Sequence, residues 1–504
     1  MNILRLFLIA ITAVFVHGYH LGADDAAIYI PGIKKAADPA LFPFESAFFM
    51  SHAHLSMFSE LVGGSARLLH LPSDLIIFFW HILSIFLLLL ACHQLLCRCF
   101  KSARAIWAGV TLVAAALSIP VAGTALMIMD PYLTARSLST PIIIFAIAAC
   151  LAGQWKRSVF WLLLTALIHL QMAAYGAVFL ALYAGVRAWE NLPRVADARV
   201  ADARPVLYAA LPFVISFTPA TGPAREALFS RTYFFVFNWT WYEWLGVFAP
   251  LAILWWFSTS AQRGTTSTFV TLCRSLVPFG LIATIAGVLL ETSPKLENFT
   301  RLQPMRSLHL VYVIFFALLG GVLAEYVLKH SIQRWTALFT CTAIIMWLVQ
   351  VAAYPDSPHL EWPGSAARNP WISAFLWVRA NTPKNALFAL DPRYMLSPGE
   401  DQHGFRAIAE RSSLADETKD SGAVSLFPAL ALEWKTEVRE ETREFAAHDF
   451  QALASDYHVN WIVTARPAPA GLTCPYGNRA LVLCRVFRSL PLAALSPVSQ
   501  SIRR

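Results

Sequence analysis

Long apolar runs recur along the first 353 residues of this chain and then stop. Each run approaches the ~20 residues that a helix needs to cross a bilayer. Over the whole chain 57% of residues are hydrophobic and 14% are charged, with a mean hydropathy of +0.55. A soluble core cannot cover that much apolar surface. The sequence therefore predicts an all-α polytopic membrane domain over residues 1–353 and a small α/β domain over residues 354–504.

The apolar runs predict about eleven membrane-spanning helices. Their approximate bounds are 3–19, 73–96, 105–128, 137–153, 158–170, 172–186, 206–219, 241–258, 275–291, 308–328 and 335–353. Residues 158–186 form either one overlong helix or two short ones, and the basic residues at both ends favour two. Residues 3–19 also resemble a signal peptide, but no clear small-x-small cleavage site follows them.

The connecting loops alternate in character, which predicts the orientation of the chain. One set is short and basic and is expected in the cytoplasm. The other set is longer or carries the acidic residues, and it comprises 20–72, 129–136, 220–240 and 292–307. With eleven spans, the N-terminus is expected in the cytoplasm and the C-terminal domain outside it.

The basic net charge of +8 is confined to the membrane domain. Residues 1–353 contain 23 Lys and Arg against 15 Asp and Glu, whereas residues 354–504 contain 16 of each. A basic bias of membrane loops follows from their orientation. Nucleic-acid binding would need a basic soluble face, and the C-terminal domain is neutral. The expected partners are therefore the lipid bilayer and a membrane-bound substrate, and no nucleic acid.

Segments of the C-terminal domain have the patterns of an α/β fold. Residues 386–391, 459–465 and 480–486 are predicted strands, and 371–383 is a predicted helix. Residues 433–457 alternate charge along a second helix, which predicts a solvated face. Cys474 and Cys484 flank a turn in a compartment where disulfides persist, so they form either a disulfide, which we expect, or two free thiols.

Most ionisable groups near membrane depth gather on the side predicted to be outside. Such groups most often mark function in membrane proteins. The candidate set is Asp24, Asp25, Asp130, Arg136, His169, Glu243, Arg301, Gln303, Arg306 and His309. Each also has a plain structural interpretation, as a solvated loop residue or an interfacial anchor.

Asp24 and Asp25 are the strongest catalytic candidates because a double acid is not needed for anchoring. They open DDAAIYIPGIKKA, whose isoleucines Ile28, Ile30 and Ile33 predict a segment lying along the membrane surface. Carboxylates there can act as a general base or bind a hard divalent cation. Nearby arginines can hold a phosphate, and the remaining polar candidates would complete a substrate-binding site.

A second candidate for metal binding is SHAHLSMFSE, with His52, His54 and Glu60. On a strand, residues i and i+2 share a face, whereas on a helix they diverge. The neighbouring aromatic residues favour a helix, so metal binding at these histidines is not expected.

This layout resembles the GT-C class of membrane glycosyltransferases, and the chain is also similar to a group of uncharacterised bacterial multi-span membrane proteins. The similarity rests on the acid after the first span, the loop 20–72, the trailing domain, and the segments GADDAAIYIPGI, NWTWYEWLG, RLQPMRSL and WVRANTPKNALF. It implies sugar transfer from a polyprenyl-phosphate donor to an extracytoplasmic acceptor in the bacterial inner membrane. Asp24 or Asp25 would be the base, and the arginines would bind the donor phosphate.

The chain also departs from that class. It lacks the WWD acceptor motif of oligosaccharyltransferases, since Trp255 and Trp256 are followed by Phe257. Asp130 has no DxD partner, so dependence on a divalent metal ion stays open. Two other functions remain: a transporter or flippase for a lipid-linked or anionic solute, and a non-catalytic scaffold whose C-terminal domain binds a partner. Charges within the spans are sparse, which weighs against transport.

Overall fold

The computed structural model describes residues 2–190, 219–260 and 264–486. The described residues up to 353, here called the membrane part, contain fourteen α-helices. They are α1 (Ile3–His17), α2 (Ala26–Ala37), α3 (Ala47–Ala53), α4 (Phe58–Leu69), α5 (Ser73–Cys99), α6 (Ala103–Ala115), α7 (Ala135–Leu151), α8 (Trp155–Ile168), α9 (Leu170–Glu190), α10 (Gly222–Phe229), α11 (Trp241–Thr259), α12 (Ser267–Glu291), α13 (Leu308–Leu323) and α14 (Ile332–Ala353).

Five helical stretches of the described residues are long and apolar enough to cross a bilayer. They are Ser73–Cys99, Leu170–Glu190, Ser267–Glu291, Glu297–Leu328 and Ile332–Ala353. Shorter apolar helices are α1, α6 and α7. The chain is therefore a polytopic helical protein, and the count of about eleven spans stays a prediction. The predicted span at 206–219 lies almost wholly outside the described residues.

Residues 158–186 form two helices, as the flanking charges predicted. Helix α8 ends at Ile168 and α9 begins at Leu170. His169 between them has an extended backbone, with φ −158° and ψ 97°. The two helices pack against each other as a hairpin with His169 at its tip.

The predicted span 105–128 is wrong in its second half, because α6 ends at Ala115. Residues 117–129 fold back on themselves instead. The amide of Val121 donates to the carbonyl of Leu126, and that of Met129 donates to the carbonyl of Leu117. Pro120 cannot continue a helix, and Leu117 and Met129 are buried against protein. The apolar character of this segment serves the core of the bundle.

The loop 20–72 contains helices α2, α3 and α4. The prediction that the isoleucines of α2 lie on the membrane surface is wrong for Ile30 and Ile33. Both are fully buried, in a core with Phe58 and Val62 of α4. Helix α2 is amphipathic because one face packs on protein, and a sequence pattern does not distinguish that burial from burial in lipid.

The C-terminal part forms a five-stranded sheet with helices around it. The strands are β1 (Leu387–Leu390), β2 (Ser412–Ser413), β3 (Trp461–Ala465), β4 (Thr473–Gly477) and β5 (Leu481–Arg485), in the order β2-β1-β3-β5-β4. The helices are α15 (Pro370–Asn381), α16 (Phe405–Ala409), α17 (Asp420–Leu426), α18 (Ala431–Ala447) and α19 (Gln451–Asp456). Strands β1, β2 and β3 are parallel, whereas β5 is antiparallel to β3 and β4. Cys474 on β4 and Cys484 on β5 form a disulfide.

Both faces of the sheet are covered. Phe388, Trp461 and Leu483 point to a core with Phe375 of α15. The alternate residues of the strands pack on the other side, against Leu453 of α19 and its neighbours. The short apolar strands of the sequence are thus buried on two sides, which is why they lack a clean polar alternation.

Helix α18 is not the solvated helix that its charge pattern predicts. It ends at Ala447, where His448 takes a left-handed conformation with φ 55°. Trp434, Glu437 and Glu441 lie on one buried face. The carboxylate of Glu437 accepts a hydrogen bond of 2.8 Å from the amide of Ala415. Three acids of this helix, Glu444 among them, are therefore buried.

A charged network joins the C-terminal part to the membrane part. The buried Lys34 of α2 lies 2.6 Å from Asp74 of α5 and 2.9 Å from Glu410, which follows α16. Arg379 of α15 is 2.7 Å from the other oxygen of Asp74. The positive charges of two cations thus balance the negative charges of two carboxylates at the contact between α2, α5 and the sheet domain.

Candidate functional site

Asp24 and Asp25 lie between the end of α1 and the start of α2, at the contact with the C-terminal part. Asp24 has a left-handed backbone conformation, with φ 47°. Its carboxylate accepts hydrogen bonds from the hydroxyl of Tyr132, at 2.9 Å, and from the ammonium of Lys419. Asp25 stands 3.7 Å from both Lys419 and Arg136. Asp24 is thus the more tightly held of the two acids, and Asp25 keeps a quarter of its side chain exposed.

Asp130 and Arg136 form a buried ion pair of 2.5 Å beside Asp25. Arg136 lies in the first turn of α7, which begins with a capping box between Thr134 and Ser137. Capping fixes the start of the helix, so it also fixes the direction in which the Arg136 side chain leaves the backbone. The predicted residues Asp25, Asp130 and Arg136 therefore come together.

The electrostatics of the site keep Asp25 ionised. Burial alone would raise the pKa of its carboxyl group, but the charges of Lys419 and Arg136, and more weakly of Arg306 and Arg231, lower it to about 2. Three carboxylates, including Asp24 and Asp130, thus face four cations. The excess positive charge suits this site to an anion.

Residues 301–307 form the second part of the site, next to the α8–α9 hairpin. Gln303 turns the chain with a left-handed backbone, φ 49°. The hydroxyl of Tyr175 lies 2.9 Å from the carbonyl of Leu302 and 2.7 Å from that of Gln303, and Gln171 donates to the Leu302 carbonyl at 3.0 Å. Helix α9 therefore holds the turn that presents Arg306.

Arg306 is an unpaired cation in this arrangement. Among the described residues it makes no ion pair, its guanidinium stacks 5.0 Å from the ring centre of Tyr233, and its Nε is buried without a hydrogen-bond partner. It lines a small pocket together with Thr124 and Gln303. The Oε1 atom of Gln303 is also buried without a partner. Unpaired polar atoms around a cavity suit a polar ligand.

The histidines have different places. His309 is buried at the start of α13, with Nε2 3.0 Å from the carbonyl of Ile128. His169 lies close enough to Arg136 and Arg306 for their charges to act on it. His52 packs edge-on against Tyr29, with ring centres 4.8 Å apart. Burial lowers the pKa of His52 to about 4, so its imidazole is neutral.

His52, His54 and Glu60 do not form a metal site in the part of the chain that the structure describes. His52 lies in helix α3, as predicted, while His54 and Glu60 are exposed. Within the described ranges, two other groups of side chains gather closely enough for a metal ion, namely His20 with Glu361 and His403, and Glu45 with Glu433 and Glu437.

Two predicted residues have other contacts. Glu243 caps α11, where its carboxylate accepts hydrogen bonds from the amide and hydroxyl of Thr240, at 2.6 and 2.9 Å. The sequence suggested a solvated loop position or a substrate-binding role for Glu243, and helix capping is a structural role that it did not suggest. Arg301 lies close to Glu297.

Sequence reasoning missed Lys419, Arg231 and Tyr132. Tyr132 lies between the predicted site residues Asp130 and Arg136 in the sequence, and this position indicates that it belongs to the site. Lys419 is 395 residues from Asp24 and stands in an unremarkable polar stretch. Arg231 is held by the carbonyl of Thr418, at 2.6 Å, and the hydroxyl of Ser421, at 2.8 Å. No local pattern predicts such distant pairs.

Comparisons with known proteins found few similarities. No family model matches the chain, and no curated protein matches it. Among solved structures it is similar to the single-particle cryo-EM structure of the arabinofuranosyltransferase AftD from mycobacteria, at 12% identity and a TM-score of 0.40. The match covers 97% of this chain, which spans 40% of the length of that one. At this TM-score the likeness is too loose to assign a fold.

Proposed function

We propose that the protein is a membrane glycosyltransferase that transfers a sugar from a polyprenyl-phosphate donor to an extracytoplasmic acceptor. The observation that carries the proposal is Arg306, an unpaired cation that lines a cavity and acts electrostatically on Asp25. A phosphate would supply the anion that this arrangement lacks, and a carboxylate beside it would meet the acceptor.

Arg306 is the main phosphate ligand in this proposal. Its guanidinium can donate two parallel hydrogen bonds to phosphate oxygens. Arg136 is already paired with Asp130, so it contributes charge more than new hydrogen bonds. The polyprenyl chain would lie between the apolar helices around the cavity, and the sugar would point toward Asp25.

Asp25 is the proposed base, and Asp24 is a positioning residue. Asp24 accepts two hydrogen bonds and holds Lys419 and Tyr132 in place. Asp25 has no such bonds to the part of the chain that the structure describes, and its low pKa depends on the cations around it. A bound phosphate would share those cations, which raises the pKa of Asp25 and makes its carboxylate a stronger base for the acceptor hydroxyl.

The test uses the purified full-length protein in nanodiscs, with undecaprenyl phosphate and a panel of polyprenyl-phosphate sugars as probes. We expect Arg306→Gln to weaken binding of undecaprenyl phosphate by about tenfold or more. We expect Asp25→Asn to bind the donor sugar normally and to lose transfer to an acceptor.

The matched control is Lys435→Gln, which removes an exposed ion pair with Glu226 and leaves the site intact. Undecaprenyl phosphate that binds equally to the Arg306 variant and the wild type would contradict the proposed phosphate site. Donor uptake into liposomes that persists in the Asp25 variant, with no sugar transfer by the wild type, would favour a transporter.

A further inference from the structure

A buried group of metal-binding side chains lies outside the site described above. His20 follows α1, Glu361 follows α14, and His403 precedes α16 in the C-terminal part. The side chains of both histidines are completely buried, and that of Glu361 is 11% exposed. Three segments far apart in the sequence thus bring two imidazoles and a carboxylate together at the contact between the membrane part and the sheet domain.

The carboxylate of Glu361 is at the centre of the group. Its Oε1 is 3.0 Å from Nδ1 of His20 and 2.8 Å from Nε2 of His403. Its Oε2 accepts a hydrogen bond of 2.9 Å from the amide of Leu21. The ring of His20 stacks on Tyr354 with ring centres 3.7 Å apart. These contacts fix the position of each donor atom.

The protonation of His403 follows from its other ring nitrogen. Nδ1 faces the carbonyl oxygen of Glu400 at 2.9 Å, and a carbonyl only accepts, so Nδ1 carries a proton. In the neutral ring Nε2 then presents a lone pair to a carboxylate oxygen. That contact requires a cation between the two atoms, either a second proton or a metal ion. A ring N–H that donates to a carbonyl is also the arrangement that orients histidines bound to metals.

Unpaired polar atoms nearby give an independent indication of a ligand. Glu400 is fully buried, and no side chain among the described residues donates a hydrogen bond to its carboxylate oxygens. Nε2 of His20 is also buried without a partner. A buried carboxylate without a side-chain partner is costly. A divalent cation would balance the negative charge of Glu361.

We propose that His20, Glu361 and His403 bind one divalent transition-metal ion, with zinc preferred. Two imidazole nitrogens and a carboxylate oxygen are a donor set that zinc accepts in tetrahedral geometry. Ligand atoms on one zinc ion stand about 3.3 Å apart, so the present contacts of 2.8 and 3.0 Å open by a few tenths of an ångström on binding.

This metal site fastens the C-terminal part onto the membrane part beside Asp24. The amide of Asp24 donates to the carbonyl of Gln402, and the amide of Gly404 donates to the carbonyl of Gly22. The ion therefore fixes the backbone on both sides of this contact. Its role is structural, and the proposal does not depend on sugar transfer.

The experiment uses the full-length protein, purified in detergent, stripped with a chelator and dialysed against zinc chloride. We expect one zinc ion per chain by elemental analysis and a higher Tm with zinc than with chelator, because the ion binds only the folded state. Cobalt chloride in place of zinc should give the visible absorption bands of a tetrahedral site. This measurement on the wild type needs no variant that might misfold.

The variants His403→Gln and Glu361→Gln should bind zinc at least about a hundredfold more weakly. The control is His17→Gln, which removes another buried histidine whose two ring nitrogens lie 2.7 Å from Ser118 and 2.9 Å from the carbonyl of Ala114. It should keep the full zinc content. A wild type that takes up no zinc and gains no Tm would overturn the proposal, as would His403→Gln and Glu361→Gln proteins that keep one ion per chain.

Discussion

Two adjacent aspartates with the same chemistry have different surroundings, and Lys419 is the residue that links them. Its ammonium contacts Asp24 directly and stands 3.7 Å from Asp25. With nine-tenths of its side chain buried, Lys419 contributes more to the electrostatics of the site than an exposed lysine would. The C-terminal part thus sets the acidity of a group on the membrane part.

At this scale we predict that Lys419→Gln raises the pKa of Asp25 above about 2. The loss of a cation at this distance shifts a carboxyl pKa by about one unit or more. If Asp25 is the base, the acidic limb of the pH profile of kcat/KM moves to higher pH by that amount. Lys435→Gln, whose ion pair is exposed, should leave the limb unchanged. An acidic limb that does not shift in Lys419→Gln would show that Asp25 is not the base.

Helix α18 gives a pH dependence of stability that belongs to one element. Burial and the negative charge of Glu45 raise the pKa of Glu437 from 4.5 to about 8. Between about pH 5 and pH 8, Glu437 is therefore protonated in the folded state and ionised in the unfolded state. The free energy of unfolding falls as the pH rises through this range, because unfolding releases the proton.

We expect the Tm of the wild type to be several degrees lower at about pH 8.5 than at about pH 6. Glu437→Gln, which mimics the protonated acid, should show a smaller difference than the wild type. Asp456→Asn on α19 is the matched control, because its side chain is exposed. A Glu437→Gln protein that shows the full wild-type difference would contradict the prediction.

Helix α9 acts on the site through the turn at residues 302–303. Tyr175→Phe removes the hydroxyl that contacts two carbonyls of this turn, so Arg306 loses part of its support. We expect binding of undecaprenyl phosphate to weaken by up to about tenfold. Tyr312→Phe removes a comparable hydrogen bond, of 2.7 Å to the carbonyl of Gly246, and should bind normally. Equal losses in both variants would indicate a general effect on the bundle.

The sequence predicts elements well where a local pattern has only one physical explanation. Strands β1, β3 and β5 appear at their predicted positions because short apolar runs between turns leave few alternatives. Two predictions were wrong. The second half of 105–128 is not a membrane span, and one face of α18 is buried where a solvated helix was predicted. An apolar segment is compatible with lipid or with protein, and a charged helix is compatible with water or with buried, protonated acids. Tertiary packing makes that choice.

At the scale of the whole molecule, the site could be predicted only in part. Asp130 and Arg136 are six residues apart, and the sequence grouped them with the double acid. Lys419, Glu361 and His403 reach that region from hundreds of residues away. A contact of this separation depends on how the C-terminal part docks, and a single sequence contains no local signal for docking.

The docking itself should depend on the network of Lys34, Asp74, Glu410 and Arg379. Asp74→Asn leaves the completely buried Lys34 with one carboxylate instead of two. Removing a partner from a buried ion pair costs about 3 kcal/mol, so we expect a lower Tm and faster proteolytic release of the C-terminal part.

Asp38→Asn breaks another ion pair between the same parts, with Lys384, but both side chains there are about half exposed. Such a pair contributes at most about 1 kcal/mol, and its loss should leave both measurements near the wild type. Equal sensitivity of the two variants would show that the contact depends on net charge and not on the buried lysine.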